Sequence, residues 1–279
     1  MPHNRAFAQV DVFSSEPFRG NPVAVILDAE GLADQDMARI ANWTNLSETT
    51  FVLPPSDPRA DYRLRIFTPA RELPFAGHPT LGSAAAWLEA GGVPRSESTV
   101  VQECGAGLVN LRRGGQTLSF AAPDPIRTGD LDEGFVEQIA SALRIDRAEI
   151  LGHQWVDNGP GWAAVRLTSA QQVLDLEPDF SQIPDAKLGV LGSHPDESEH
   201  EFEIRAFVPG AGVAEDPVTG SLNASVAQWL IASGLAPAKY TVTQGTALGR
   251  AGVVSISHEN DEVWVGGSTT VCFRGTAFA

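Results

Sequence analysis

The feature that most constrains this chain is a segment that occurs twice. His78-Pro79-Thr80-Leu81-Gly82-Ser83 is matched by Asp216-Pro217-Val218-Thr219-Gly220-Ser221, with prolines, glycines and serines each 138 residues apart. Upstream, Arg65-x-Phe67-x-Pro69 matches Arg205-x-Phe207-x-Pro209 at an offset of 140. Downstream, Trp87-Leu88 matches Trp229-Leu230 and Gln102 matches Gln244 at an offset of 142. The drift inserts four residues inside the apolar stretch, about one helical turn, so the tryptophan keeps its helix face. A repeat of this length predicts a duplicated unit of strand, loop, helix start, apolar helix and strand. Within it, His78 stands against Asp216, and that is where chemistry would differ.

Both repeat helices, expected over 79–90 and 217–233, are apolar almost all round, which marks a helix buried on every side. The segments around them alternate like strands. Strands wrapped round one central helix in each half make an α+β fold in which a sheet curls round each helix, rather than a doubly wound sheet with amphipathic outer helices. The Pro123-Asp124-Pro125 stretch predicts a boundary, giving a first domain of 1–124 and a second of 125–267.

The net charge of −16 repels nucleic-acid phosphates and anionic membranes, so neither is an expected partner. Two isolated cysteines, Cys104 and Cys272, make no disulfide framework. The first ten residues lack a basic start followed by an apolar run, and no apolar run reaches transmembrane length, so a soluble cytoplasmic protein is expected.

An acidic chain has to make any anion site locally. The first turn of a helix exposes unpaired N–H groups and the positive dipole end. Two such starts, each with Pro near the first turn, predict a carboxylate-binding site with Gly77, Gly220 and Ser221 offering close approach and small donors. Ordinary capping accounts for Asp216 but poorly for His78. Glu48, in the polar insert Asn45–Phe51, is a third candidate as an acid and base. Taken alone, a Glu at a strand start is more often a solvated surface group. No dinucleotide, phosphate-loop, zinc-protease or nucleophile-elbow motif is present, and the six histidines lack ligand spacing, so no metal site is expected.

Phe75-Ala76-Gly77-His78-Pro79-Thr80, Glu215–Ser221, Ser47-Glu48-Thr49 and Gln244-Gly245-x-x-Leu248-Gly249-Arg250 resemble the signature segments of PhzF-like proteins, the phenazine-biosynthesis isomerases related to diaminopimelate epimerase. The resemblance runs over nearly the whole chain. It implies an α+β fold of two pseudo-symmetric mixed β/α barrels, each wrapped round its central helix, with an active site in the cleft between them, a homodimer, and a C-terminal strand, about 268–279, able to return to the first domain. It implies a cofactor-free isomerase acting on a small carboxylated substrate, with Glu48 as general acid/base, His78 and Asp216 assisting it, and Gly77, Gly220 and Ser221 binding substrate. Related epimerases exchange the proton between two thiols at the helix starts. Here His78 and Asp216 hold those places, which argues against a two-thiol mechanism. Ser221 is followed by Leu222-Asn223-Ala224, a departure from the Ala-His-Ala of the phenazine enzyme. The rival readings are a non-catalytic small-molecule-binding protein on the same scaffold, and a hydrolase with Ser221 as nucleophile.

Overall fold

The computed structural model describes residues 3–115, 117–211 and 213–279. They form two compact units: one runs to Ala121 and takes in Gly266–Ala279, and the other is Ala122–Val265.

The first unit holds β1 (Asn4–Val12), β2 (Asn21–Ile26), α1 (Asp34–Thr44), β3 (Thr49–Leu53), β4 (Tyr62–Phe67), β5 (Glu72–Leu73), α2 (Gly77–Glu89), β6 (Thr99–Cys104), β7 (Gly107–Gly114) and β8 (Thr117–Ala121). The second holds α3 (Glu133–Leu143), β9 (Gly152–Trp155), β10 (Ala163–Ser169), α4 (Ala170–Leu174), β11 (Leu188–Ser193), β12 (Phe202–Phe207), β13 (Glu215–Asp216), α5 (Gly220–Ala232), β14 (Lys239–Gln244) and β15 (Gly252–Glu259). The last strand, β16 (Glu262–Phe278), begins in the second unit and ends in the first.

In the first unit the order β1-β2-β3-β4-β6-β7-β8-β16 closes on itself, because β16 also pairs antiparallel with β1. A ring of eight strands leaves room for side chains, and here α2 fills it, touching β1, β2, β3, β4, β6 and β8. Strand alternation sorts the faces. Val10, Val12 and Val23 point inward, where Gly82 lets α2 approach; a Cβ there would lie 2.4 Å from Val23 Cγ1 and 3.0 Å from Val12 Cγ2. Phe51 and Phe67 face outward and pack with Met37 and Ala41 of α1 and with Ile26. Leu81, central on α2, is fully buried, which stabilises the unit by about 2 kcal/mol.

In the second unit the strand order is β16-β15-β14-β12-β11-β10-β9. One face is covered by α3 and α4: Val136, Ile139, Leu143 and Val173 pack on Val165, Leu188, Val190 and Phe207. The other takes α5, and Gly189 makes way for Leu222, whose Cδ1 would lie 2.6 Å from an added Cβ.

The structure departs from the sequence reading in three places. The pairing path of the second unit ends at β9 among the described residues, so hydrogen bonds close a barrel only in the first. The helix expected from Pro217 begins at Gly220, because Glu215 and Asp216 stay extended as β13 on β12 and carry the chain past Pro217 and Val218 first. The helix expected from Pro79 begins earlier, at Gly77.

The repeated Arg-x-Phe pairs have one local design. Arg65 lies over the Phe67 ring at 5.1 Å and grips both oxygens of Glu72 at 2.7 Å. Arg205 lies over Phe207 at 4.8 Å and binds Glu215, Nη2 to Oε2, at 2.8 Å. Their surroundings differ. Arg205 and Glu215 are both under a tenth exposed, and Arg205 also donates to the carbonyls of Val173 and Leu176, whereas Glu72 is 43% exposed. Removing one partner of a buried pair strands a charge. Arg205→Met is therefore expected to destabilise the protein by about 3–5 kcal/mol, and Arg65→Met by much less, as read by denaturant unfolding of the two variants side by side.

Candidate active site

In the first unit, Glu48 and His78 come together. Helix α1 ends at Asn45, left-handed at φ 54° with its N–H on Ala41 O. Thr44 Oγ1 donates to Ala41 O at 2.9 Å and lies 2.7 Å from Thr49 Oγ1, clamping the turn that leads into β3. Glu48 sits at the mouth of that strand with its side chain only 15% exposed, so it is not a solvated surface group. Its Oε2 lies 3.4 Å from Nε2 of His78, the second residue of α2. Nδ1 of His78 lies 3.3 Å from Nδ2 of Asn21, the first residue of β2.

The turn before Asn21 is built for this. Asp11, buried on β1, accepts the Arg19 and Gly20 N–H groups. Gly20 is required, since a Cβ would lie 2.1 Å from the Val12 carbonyl oxygen. The start of α2 has no side-chain cap bond at its N-cap, Ala76. Buried Gln102 instead reaches it from β6, donating to Thr80 Oγ1 at 3.0 Å while accepting from the Tyr62 hydroxyl at 2.9 Å. Gly77, first in the helix, is buried.

In the second unit the polar groups gather at the start of α5. Asp216 is not the N-cap; that place is held by Thr219, which makes no side-chain cap bond. Thr219 Oγ1 donates to Asp216 Oδ2 at 2.5 Å. Gln244, at the end of β14 and fully buried, donates to Thr219 Oγ1 at 3.0 Å and to the Asp216 carbonyl at 3.2 Å. Its carbonyl oxygen accepts the Thr219 N–H at 3.0 Å and the Asn223 amide at 2.8 Å. Because the amide donates to Thr219 Oγ1, that hydroxyl's own hydrogen is directed onto Asp216, fixing the carboxylate.

Ser221, the second residue of α5, is half-buried. Its Oγ accepts from Trp162 Nε1 at 3.1 Å, and its carbonyl accepts from Asn158 Nδ2 at 2.9 Å. Asn158 and Trp162 lie on the link between β9 and β10. Gly159 (φ 133°) and Gly161 (φ 96°) take conformations that side chains disfavour. Asp157 Oδ1 accepts both their N–H groups, at 2.8 and 2.6 Å. Gly220 is buried as the first residue of the helix.

The sequence reading thus named Glu48, His78, Gly77, Asp216, Gly220 and Ser221. Gln244 entered as half of a repeat and as the first residue of the segment Gln244–Arg250, while Asn158 and Trp162 carried no functional reading. No motif marks Asn158 or Trp162, and nothing in the resemblance gave Gln244 its role. The faint signal was the pairing of Gln102 with Gln244, a long polar side chain recurring where buried strands are expected. Cys104 lies at the end of β6 and Cys272 in β16, and burial raises both thiols above their usual range. No group of three or more His, Cys, Asp or Glu is placed to hold a metal among the described residues.

Residues 10–277 match the model of a family described as phenazine biosynthesis-like protein. The chain is 38% identical to the Schizosaccharomyces pombe protein called antisense-enhancing sequence 1, with 98% of each chain covered. It is 34% identical to the trans-2,3-dihydro-3-hydroxyanthranilate isomerase of Pseudomonas aeruginosa, covering 88% of this chain and 87% of that one. A crystal structure of a Bacillus anthracis PhzF-family phenazine biosynthesis protein superposes with a TM-score of 0.84 at 23% identity, over 99% of this chain and all of the other. That structure shares the fold.

Burial pushes the His78 imidazole down from 6.5 to about 3, against a smaller opposing pull from the Pro22 backbone. The ring is therefore neutral near pH 7, and its 3.4 Å contact with Glu48 is not an ion pair. In the unfolded chain His78 takes up a proton as the pH falls through 6.5, whereas in the folded state it does so only near 3. The unfolded state thus binds more protons in that window, and stability is full above it and lost as pH falls. His78→Asn is expected to make unfolding less acid-sensitive, by on the order of 2 kcal/mol between pH 7 and pH 4.5. Urea unfolding of both proteins at the two pH values measures it; equal acid sensitivity would show that His78 is not held neutral.

Proposed function

Given that the chain belongs to the phenazine biosynthesis-like family, we propose that it is a cofactor-independent isomerase that moves a proton on a small carboxylated substrate, with Glu48 as the acid and base. The contact that carries this reading is Glu48 Oε2 against a neutral His78 Nε2 at 3.4 Å, on a side chain withdrawn from water.

In the reaction, Glu48 takes a proton from a substrate carbon. The electron pair left behind spreads over the adjacent double bond and the carboxylate, and the Glu48 acid returns the proton to another carbon. One carboxyl acting twice works on one face of the substrate, a different chemistry from exchange between two thiols on opposite faces.

His78 suits both states of Glu48. A neutral imidazole has one donor and one acceptor nitrogen. With Asn21 Nδ2 donating to Nδ1, the ring hydrogen sits on Nε2 and faces the Glu48 carboxylate. With the ring hydrogen on Nδ1 instead, Nε2 becomes an acceptor and faces the Glu48 acid. The ring answers loss and gain of the Glu48 proton without itself becoming charged.

Asp216, Ser221 and the backbone N–H groups at Gly77 and Gly220 are assigned to hold the substrate and to balance charge that develops on it. The first substrate to try is trans-2,3-dihydro-3-hydroxyanthranilate, since a relative is named for acting on it.

The test is incorporation of deuterium from heavy water into substrate and product, followed by mass spectrometry. Wild type is expected to exchange. Glu48→Gln, close in shape and expected to keep the fold, is expected to lose exchange by at least 100-fold. Exchange that persists in Glu48→Gln would remove Glu48 from the mechanism. Ligand binding by the wild type without any exchange would favour the binding-protein reading.

A further inference from the structure

We propose that Trp162 is a positioning residue that makes the Ser221 hydroxyl a donor toward a carboxylate oxygen of the substrate. The inference rests on the isomerase reading above and specifies which substrate group meets the start of α5.

An indole N–H donates and never accepts. The 3.1 Å bond from Trp162 Nε1 therefore occupies an acceptor position on Ser221 Oγ and directs the serine hydrogen elsewhere. Among the described residues no hydrogen bond takes that hydrogen. The Ser221 carbonyl is bound separately, by Asn158 Nδ2 at 2.9 Å and Ser225 Oγ at 3.1 Å, so the residue is held from both ends. Trp162 is 3% exposed and rooted at the edge of β10, so its nitrogen is a fixed reference point.

The matching serine of the first unit behaves differently. Ser83 is fully buried, and its hydroxyl lies 2.8 Å from that of Thr50. Ser221 is reachable, and its free valence is a hydrogen, so its complement is an acceptor. Ser221 stands in the first turn of a 13-residue helix whose N-cap side chain bonds none of its N–H groups, where the dipole favours a negative acceptor. A carboxylate oxygen meets both requirements. The same geometry is unsuited to a nucleophilic serine, which has to give its hydrogen to a base: the group bonded to Oγ here is itself a donor.

The test uses 3-hydroxyanthranilate, the aromatic form of the candidate substrate, whose ring does not isomerise, and the corresponding neutral amide. Affinities are measured by calorimetry on the full chain for wild type, Trp162→Phe, Ser221→Ala and the double variant. Trp162→Phe is expected to weaken the acid about fivefold to tenfold. Ser221→Ala is expected to weaken it at least as much, and the amide much less. The double variant is expected to bind like Ser221→Ala alone, since Trp162 acts through that hydroxyl.

Losses that multiply in the double variant would mean Trp162 acts by packing, and would overturn the proposal. So would equal losses for acid and amide, or a wild type that binds neither. The isomerase reading is decided separately, by Glu48-dependent deuterium exchange. Should Trp162→Phe fail to fold, the indole Nε1 proton resonance in Ser221→Ala provides the check: the proposal expects it to move on loss of its acceptor, and an unmoved signal would overturn it.

Discussion

A helix buried on all sides carries unmet N–H groups into its surroundings, and much of this structure follows from how those groups are handled. Neither α2 nor α5 uses the usual side-chain cap. Instead a buried glutamine from a neighbouring strand reaches a threonine at the helix start, Gln102 to Thr80 and Gln244 to Thr219, each at 3.0 Å. Leaving such an amide unpaired inside a protein costs about 1–3 kcal/mol, so the glutamine and threonine fix each other. The helix is anchored from the side, and its first turn is left facing whatever binds there.

The two starts then diverge. In the first unit the helix begins at Gly77, so His78 lies within its first turn and meets Glu48 and Asn21. In the second, β13 holds the chain extended through Asp216 and the helix waits until Gly220. Asp216 consequently lies ahead of the helix, its carboxylate held by Thr219, while Ser221 occupies the first turn. A single repeated pattern thus presents a neutral ring in one unit and a fixed carboxylate with a directed hydroxyl in the other.

Much of the fold was legible because it depends on periodicity. Helices without a polar face are buried, and the alternating strands around them have to cover them; α2 and α5 follow from those two facts. The start of α5 was not legible, because Pro217 fits the first turn of a helix as well as the end of an extended segment. The two-residue pairing of β13 on β12 decides between them, and that is a tertiary contact. Glu48 and His78 stood out by motif and by breaking the repeat. Their contact, the burial of Glu48 and the neutrality of His78 depend on three loops folding together. Trp162 and Asn158 were invisible for a similar reason: a tryptophan next to a glycine-rich turn is ordinary, and its meaning comes from a serine 59 residues away.

The polar lattice at the start of α5 also takes in Asn223. Its amide donates to the Thr219 carbonyl at 2.9 Å and to Gln244 Oε1 at 2.8 Å, so it belongs to the lattice that aims Thr219 at Asp216. Each acceptor also has a backbone donor, the Asn223 N–H on the Thr219 carbonyl at 3.1 Å and the Thr219 N–H on Gln244 Oε1 at 3.0 Å, so the side-chain amide adds a second bond to both. If Gln244 turned, its amide nitrogen would no longer reach Thr219 Oγ1, and the threonine hydrogen would lose the constraint that sends it to Asp216. In this chain the Thr219 N–H and the Asn223 amide both donate to Gln244 Oε1 and together fix its orientation, and through it the direction in which Thr219 donates. The asparagine thus bears on how firmly Asp216 is held.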